Sequence, residues 1–228
     1  MTGFSRAIIV GDSGGIGAAV ADRLRESGCE VIGLSRRSDP PLDLSDPQSI
    51  RAAFDSLDGA IDLLFIATGF LHDETQQPEK SWRSLEKPAL DRAFAINATG
   101  PALVIKEALR LVPRDKPCAI AALAARVGSI GDNRLGGWYA YRASKAALVM
   151  LLKTFAIELA RTHKQLTLAA LHPGTVDTGL SEPFQGNVPE GKLFTPQQSA
   201  DYLLGVLAGL GPDDSGGHFD WAGKSVTP

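Results

Sequence analysis

A chain of 228 residues, 44% hydrophobic and 21% charged, with 24 glycines and 14 prolines, is long enough for one α/β domain with a well-buried core and leaves little room for a second. Its net charge of −3 and pI near 5.8 give no basic field to hold a phosphate backbone, so nucleic acid is not an expected partner. Two cysteines, Cys29 and Cys118, and four scattered histidines argue against a disulfide scaffold or metal cluster, and no leader pattern or long apolar run is present, so a cytoplasmic protein with no membrane partner is expected.

Ala7-Ile8-Ile9-Val10 is a continuous apolar run stopped by Gly11, the pattern of a strand buried on both faces of a parallel sheet. Ile16, Val20 and Leu24 then fall at helical spacing as far as Ser27, with Gly28 as the stop, and Val31–Leu34 is a second strand. Ser45 reads as the N-cap of a helix opened by Asp46-Pro47 and running to about Leu57, and Leu63–Ile66 follows as strand three. Phe70–Lys87 is polar, lacks a period and contains Pro78, which predicts a surface loop or short helical excursion. A long helix is expected from about Ala89 to Val112, then a fourth strand at Ala119–Leu123 and a glycine-punctuated loop at Gly128–Gly137. Leu148, Leu151, Leu152, Phe155 and Leu159 stripe the next helix. Leu166–Leu171 is a fifth strand ending at His172-Pro173-Gly174, Thr195-Pro196 caps a helix through Leu210, and His218–Trp221 is a last short strand. Strands alternating with helices throughout predict right-handed βαβ units and a doubly wound parallel sheet, as one domain over residues 1–228.

The first strand runs through Gly11-Asp12-Ser13-Gly14-Gly15-Ile16-Gly17 straight into a helix. Without Cβ atoms the backbone can approach a pyrophosphate, whose charge is held by amides at the positive helix end; the plainer alternative is a glycine turn joining strand to helix. Tyr141 and Lys145, four apart, share a helix face. An ammonium near a phenol favours phenolate and draws the tyrosine toward acid–base work, although such pairs also occur as solvated neighbours.

In combination, the glycine turn, Asp43-Leu44, Asn97, Tyr141/Lys145 and Pro173-Gly174-Thr175-Val176-Asp177-Thr178 resemble the short-chain dehydrogenase/reductase family over nearly the whole chain. Val127–Leu148, with Gly128-Ser129-Ile130 and Gly136-Gly137-Trp138-Tyr139-Ala140-Tyr141, is most similar to its sniffer-type carbonyl reductases and bacterial C-factor-like signalling proteins. The resemblance implies a Rossmann-type α/β fold, an oxidoreductase moving hydride between a nicotinamide and a carbonyl or alcohol substrate, and chains paired as homodimers or homotetramers. It implies that Tyr141 protonates the carbonyl oxygen and that Lys145 binds the nicotinamide ribose and lowers the tyrosine pKa. Asn97 would hold a water joining the lysine to solvent, the plainer alternative being a side chain that bonds backbone where its helix bends near Gly100, and Val176 and Thr178 would meet the carboxamide. Cofactor choice turns on the end of strand two, where an acid would favour NAD; Ser35-Arg36-Arg37 suits the 2′-phosphate of NADPH, with Arg36 placed for bidentate contact and Asp43 for the adenine amino group. Tyr139 is expected to pack, and His172, with no nucleophile to pair with, to be structural.

Three departures from the family pattern stand out. Val10 replaces a threonine, and Ile66-Ala67-Thr68-Gly69 stands where Asn-Asn-Ala-Gly is usual. At the end of strand four Ala124-Ala125-Arg126-Val127-Gly128 lacks the catalytic serine, and Ser129, twelve residues before Tyr141, is the expected substitute. The missing serine and the C-factor resemblance keep a second reading open, a cofactor-binding signalling or interaction protein with weak or no catalysis.

Overall fold

The structure, a computed structural model, describes residues 3–228, apart from the side chain of Asn187. The strands are β1 (Arg6–Val10), β2 (Glu30–Leu34), β3 (Leu63–Ile66), β4 (Cys118–Leu123), β5 (Leu166–His172), β6 (Thr175–Val176), β7 (Leu193–Phe194) and β8 (Gly217–Asp220). Six of them form one parallel sheet in the order β2-β1-β3-β4-β5-β8, and β6 pairs with β7 as a separate two-stranded piece that the sequence reading does not anticipate. The continuous apolar runs are buried because helices cover both faces. Alternate residues Ile8, Leu64, Ile120 and Leu168 meet α2 (Pro47–Asp55), α4 (Gly100–Ala108) and α5 (Tyr139–Leu159). Their neighbours Ile9, Phe65, Ala121 and Ala169 meet α1 (Gly15–Glu26) and α6 (Pro196–Gly209). Truncating the fully buried Phe65 ring would cost ~3–5 kcal/mol, a large share of the stability of a domain this size.

Because β1 has β2 on one side and β3 on the other, the strand order reverses there, and a crevice opens beyond the carboxyl ends of β1 and β3. The fold therefore places the glycine turn after β1, Ser35-Arg36 after β2 and Ala67-Thr68-Gly69 after β3 around one opening.

Several boundaries differ from expectation for identifiable reasons. The cap of α2 is Asp46, whose carboxylate accepts from the Gln48 amide at 2.9 Å; Ser45 instead donates its hydroxyl to Asp43 at 2.6 Å. The long helix begins two residues early as α3 (Lys87–Phe94), with Pro88 in its first turn, widens to a π turn over Ala95–Thr99, continues as α4 and ends in a 3-10 turn at Leu111. The widening falls where the helix must pass closest to β2's exit loop: a Cβ on Gly100 would lie 2.6 Å from the Leu44 carbonyl oxygen. Thr195 caps α6 in a full capping box with Gln198, as its sequence suggests. Cys29 and Cys118 are buried, and burial lifts their thiols to about 11 and about 12, so both behave as small core side chains. No helix among the described residues is long and apolar enough to cross a membrane.

Two histidines of the sheet's carboxyl edge carry a consequence for acid stability. Burial, with the Arg126 charge nearby, lowers both His172 and His218 to about 4 from the usual 6.5. Between those values the unfolded chain binds protons that the folded chain refuses, so stability falls as pH drops from 6.5 toward 4. By about pH 5 the loss is on the order of 2 kcal/mol for each ring. The melting temperature should fall by several degrees between about pH 7 and pH 5, and His218→Leu should flatten that slope; an unchanged slope in the variant would show that His218 is not one of the titrating groups.

Candidate active site

The opening beyond β1 and β3 is a cleft of about 540 Å³ lined by Gly11, Ser13, Gly14, Ser35, Arg36, Asp43, Leu44, Ala67, Thr68 and Gly69. Its geometry depends on missing side chains. Gly11 has φ 89°, and a Cβ on Gly17 would lie 2.2 Å from the Gly11 carbonyl oxygen, so the turn can fold back onto α1 only with glycine at both places. Gly15 lies against Thr178, 2.7 Å from where its Cβ would be, which brings the loop after β5 to the same turn. Gly14 caps α1 with no side-chain hydrogen bond, so the first amides of the helix are free to meet an anion. Asp43 is held below the usual carboxylate range, chiefly by the Ser45 hydroxyl, then its amide, with the Arg36 charge adding to the effect. Arg36 lines the cleft and is exposed; Arg37 is exposed but outside the lining, and its amide meets Ser35 Oγ at 3.4 Å. A dinucleotide with an added phosphate fits this cradle: clearance at the glycines, a bare helix end for the pyrophosphate, and Ser35 with Arg36 for the phosphate.

The cleft continues into a cavity of about 290 Å³ walled by Gly14, Gly15, Ile16, Ala67, Thr68, Gly69, Tyr141, Lys145, Pro173 and Thr178. Tyr141 and Lys145 reach it from the buried face of α5, one turn apart. The start of that helix is fixed from outside. Glu79 accepts the Trp138 amide on its carbonyl at 2.6 Å and the Ala140 amide on its carboxylate at 3.2 Å, while Gly136, Gly137 and Trp138 all take positive φ. Lys145 Nζ donates to the Leu123 carbonyl at 2.6 Å and the Thr68 carbonyl at 3.5 Å, bridging the ends of β4 and β3. Anchored there, it lies 5.9 Å from the centre of the Tyr141 ring. Burial lowers the ammonium to about 7 and pushes the phenol up to about 12, opposite to the expected lowering of the phenol, because desolvation outweighs a charge held toward the carbonyls.

Asn97 sits in the π turn, completely buried. Its Oδ1 accepts from the Phe70 amide at 2.7 Å, and its Nδ2 donates to the Phe70 carbonyl at 2.8 Å and to Ser144 Oγ at 3.0 Å. Ser144 in turn donates to the Tyr141 carbonyl at 3.0 Å, so Asn97 ties the chain after β3 to the Tyr141 helix. A water between Asn97 and Lys145 has only the second lone pair of Oδ1 to use, across the space above Gly69.

A third cavity, about 270 Å³, adjoins Tyr141 and is walled by Ile16, Leu71, Ala124, Ala125, Arg126, Val127, Trp138, His172, Pro173, Gly174, Val176, Thr178, Leu180 and Phe184, among others. Trp138 stands edge-on to Phe184 with ring centres 4.8 Å apart, and to Tyr141 at 6.2 Å. Its lone cation, Arg126, is neutralised by Asp132 and Asp220 at 3.2 and 2.9 Å. Ser129 is not brought to this cavity: it is buried, and its Oγ accepts the Asp132 amide at 3.0 Å, closing a local turn. The short helical turn at Arg126–Gly128 directs the chain away before Ser129 is reached. Tyr139, expected to pack, is 37% exposed at the start of α5. The sequence reading missed Phe70, His72, Asp73 and Arg92 on the cleft wall and Leu71, Leu180 and Phe184 on the apolar one. All lie in aperiodic loops or on a helix face with no motif to mark them; only Trp138, beside Tyr139-Ala140-Tyr141, carried a local signal.

The family model for short chain dehydrogenases matches residues 5–188. The 1-hydroxy-2-glutathionyl-2-methyl-3-butene dehydrogenase of Rhodococcus sp. (strain AD45) is 30% identical over 227 residues, 93% of this chain and 94% of that one. The C-signal of Myxococcus xanthus is 37% identical over 135 residues, 59% of this chain and 76% of its own, in agreement with the C-factor-like resemblance of the sequence. A short-chain dehydrogenase/reductase from Burkholderia multivorans with bound NADP superposes with a TM-score of 0.81 at 25% identity, covering 99% of this chain and all of that one (100%). The glycine turn at the reversal of the strand order, the Tyr141–Lys145 pair and these similarities place the chain in the short-chain dehydrogenase/reductase family, an oxidoreductase family.

Proposed function

We propose that this chain is an NADPH-dependent reductase of aldehydes or ketones, with Tyr141 as the proton donor. The observation that carries the proposal is the junction of the two cavities at Tyr141, one charged and lined by glycines, the other apolar and without a net charge. When bound, NADPH would supply a hydride to the carbonyl carbon. Ser13, Gly14 and Gly15 would hold its phosphates at the α1 terminus, Ser35 and Arg36 the 2′-phosphate, Asp43 and Leu44 the adenine, and Pro173, Gly174, Val176 and Thr178 the carboxamide end. Ala67, Thr68 and Gly69 would line the middle of the dinucleotide. A phenol kept protonated by burial suits donation to the carbonyl oxygen, and Lys145, near its own midpoint at neutral pH, can return a proton to it. Leu71, Trp138, Leu180 and Phe184 would shut water out around the substrate. Met150 and Ile157, exposed on α5 at a seven-residue spacing, support pairing of two chains across that helix.

Purified chain should consume NADPH only when an aryl aldehyde or ketone is present. The similarity to C-signal and the alanine at position 125 favour a second reading, a cofactor-binding signalling protein, and NADPH binding without consumption across a panel of carbonyl compounds would select it.

A further inference from the structure

If the chain reduces carbonyl compounds, as proposed above, its site needs more than one hydrogen bond to the reacting oxygen. Charge develops there as the carbon is reduced, and one such donor contributes about 10²- to 10³-fold in rate. Ala125 has no hydroxyl to offer, and Ser129 spends its oxygen on the Asp132 amide. Among the other polar groups on the cavity wall, the Arg126 guanidinium is held by two carboxylates, the Thr178 and Ser181 hydroxyls donate to the Val176 carbonyl at 3.4 and 2.5 Å, and Thr175 begins β6 beyond the Pro173-Gly174 turn, away from the ends of β4 and β5.

His172 is differently placed. It ends β5, immediately after Leu171, the register partner of Leu123, so it stands beside Ala124 at the strand ends from which the family's serine would project. The Ala124 amide donates to the Leu171 carbonyl at 2.8 Å, which continues the ladder to that point. His172 lines the same cavity as Tyr141 and Ala125. Its Nδ1 is buried without a hydrogen-bond partner. A buried N–H without an acceptor costs more than a bare lone pair, so the proton belongs on Nε2, the ring nitrogen that is not sealed off, on a side chain that lines the cavity. Burial and the Arg126 charge keep the ring neutral at physiological pH, which fixes it as a donor that gives up no proton.

We propose that His172 Nε2–H makes the second hydrogen bond to the substrate's carbonyl oxygen, in place of the hydroxyl missing at Ala125. The balance of the reaction is unchanged: the carbonyl carbon takes the hydride, the π-bond electrons move to oxygen, Tyr141 supplies the proton, and NADPH leaves as NADP⁺. His172 only holds the oxygen while the charge is present.

The test measures kcat/KM with NADPH and an aryl aldehyde, together with NADPH affinity, for the wild type, His172→Ala, His172→Leu, Tyr141→Phe, Ser129→Ala and the double variant His172→Ala with Ala125→Ser. His172→Ala and His172→Leu should each lose about 10²-fold or more in kcat/KM, with NADPH affinity within about twofold of wild type. Adding Ala125→Ser to His172→Ala should recover about tenfold or more, which a merely structural loss would not do; Ser129→Ala should stay within about twofold of wild type. Full activity in either folded His172 variant while Tyr141→Phe is inactive would overturn the role of His172 and leave the reductase reading standing. No aldehyde-dependent NADPH consumption by the wild type would overturn both.

Discussion

Tyr141→Phe should lower kcat for carbonyl reduction by about 10²- to 10⁴-fold while leaving NADPH affinity within about twofold. The substitution removes one oxygen from a side chain that is 9% exposed and leaves the ring against Trp138, so the cavity keeps its shape. Only the proton donor is lost. Burial keeps that phenol up to about 12, so wild-type donation should not decline across the neutral range through ionisation of the tyrosine itself. Steady-state rates and a fluorescence titration on the same preparation separate the two effects. A phenylalanine variant that turns over at the wild-type rate would remove Tyr141 from the chemistry; one that loses NADPH binding in proportion to kcat would make it a cofactor contact instead.

Arg36→Ala should abolish a preference for NADPH over NADH of at least about tenfold. The guanidinium stands on the cleft wall beside Ser35, and the residues that leave β2, Ser35-Arg36-Arg37, include no acid to repel a phosphate; the Asp12 carboxylate of the glycine turn packs instead against Gly33, one residue back from the strand's end. Asp43 lines the same cleft but is tied to Ser45 by hydrogen bonds of 2.6 and 2.8 Å. The loss should fall on NADPH alone, with NADH affinity nearly unchanged, because the two differ only in the 2′-phosphate. Arg37→Ala should have the smaller effect, since Arg37 lies outside the cleft lining. Equal affinity of the wild type for both cofactors, or an equal loss for both in Arg36→Ala, would sink the assignment.

Most of the fold could be read from the sequence because its signals are local. Buried parallel strands announce themselves as unbroken apolar runs, as at Ala7–Val10 and Ala119–Leu123, and the glycine turn is required by a backbone approach that no other residue permits. Tyr141 and Lys145 were legible because helical spacing alone puts them on one face. What failed was decided by tertiary packing. Ser129 was the nearest hydroxyl along the chain, but a 3-10 turn and a local hydrogen bond carry it away from Tyr141. The π turn at Asn97 answers to the close passage of Gly100 over Leu44, a contact made across 56 residues that no window of sequence contains. The apolar wall is drawn from Leu71, Trp138, and Leu180 with Phe184, three segments with no common pattern. His172, read from the sequence as structural, stands beside Ala124 and shares a cavity wall with Tyr141, surroundings that come from other elements and leave no mark in its own segment.

Reduction of carbonyl compounds by this chain with NADPH can be followed through the transferred atom itself. NADPH carrying deuterium in both positions at nicotinamide C4 is incubated with the wild-type chain and an aryl aldehyde, and the alcohol is analysed by mass spectrometry. The alcohol should carry one deuterium on its carbinol carbon and form in proportion to NADPH consumed. Failure to form alcohol while NADPH is bound, or an alcohol without the label, would contradict it.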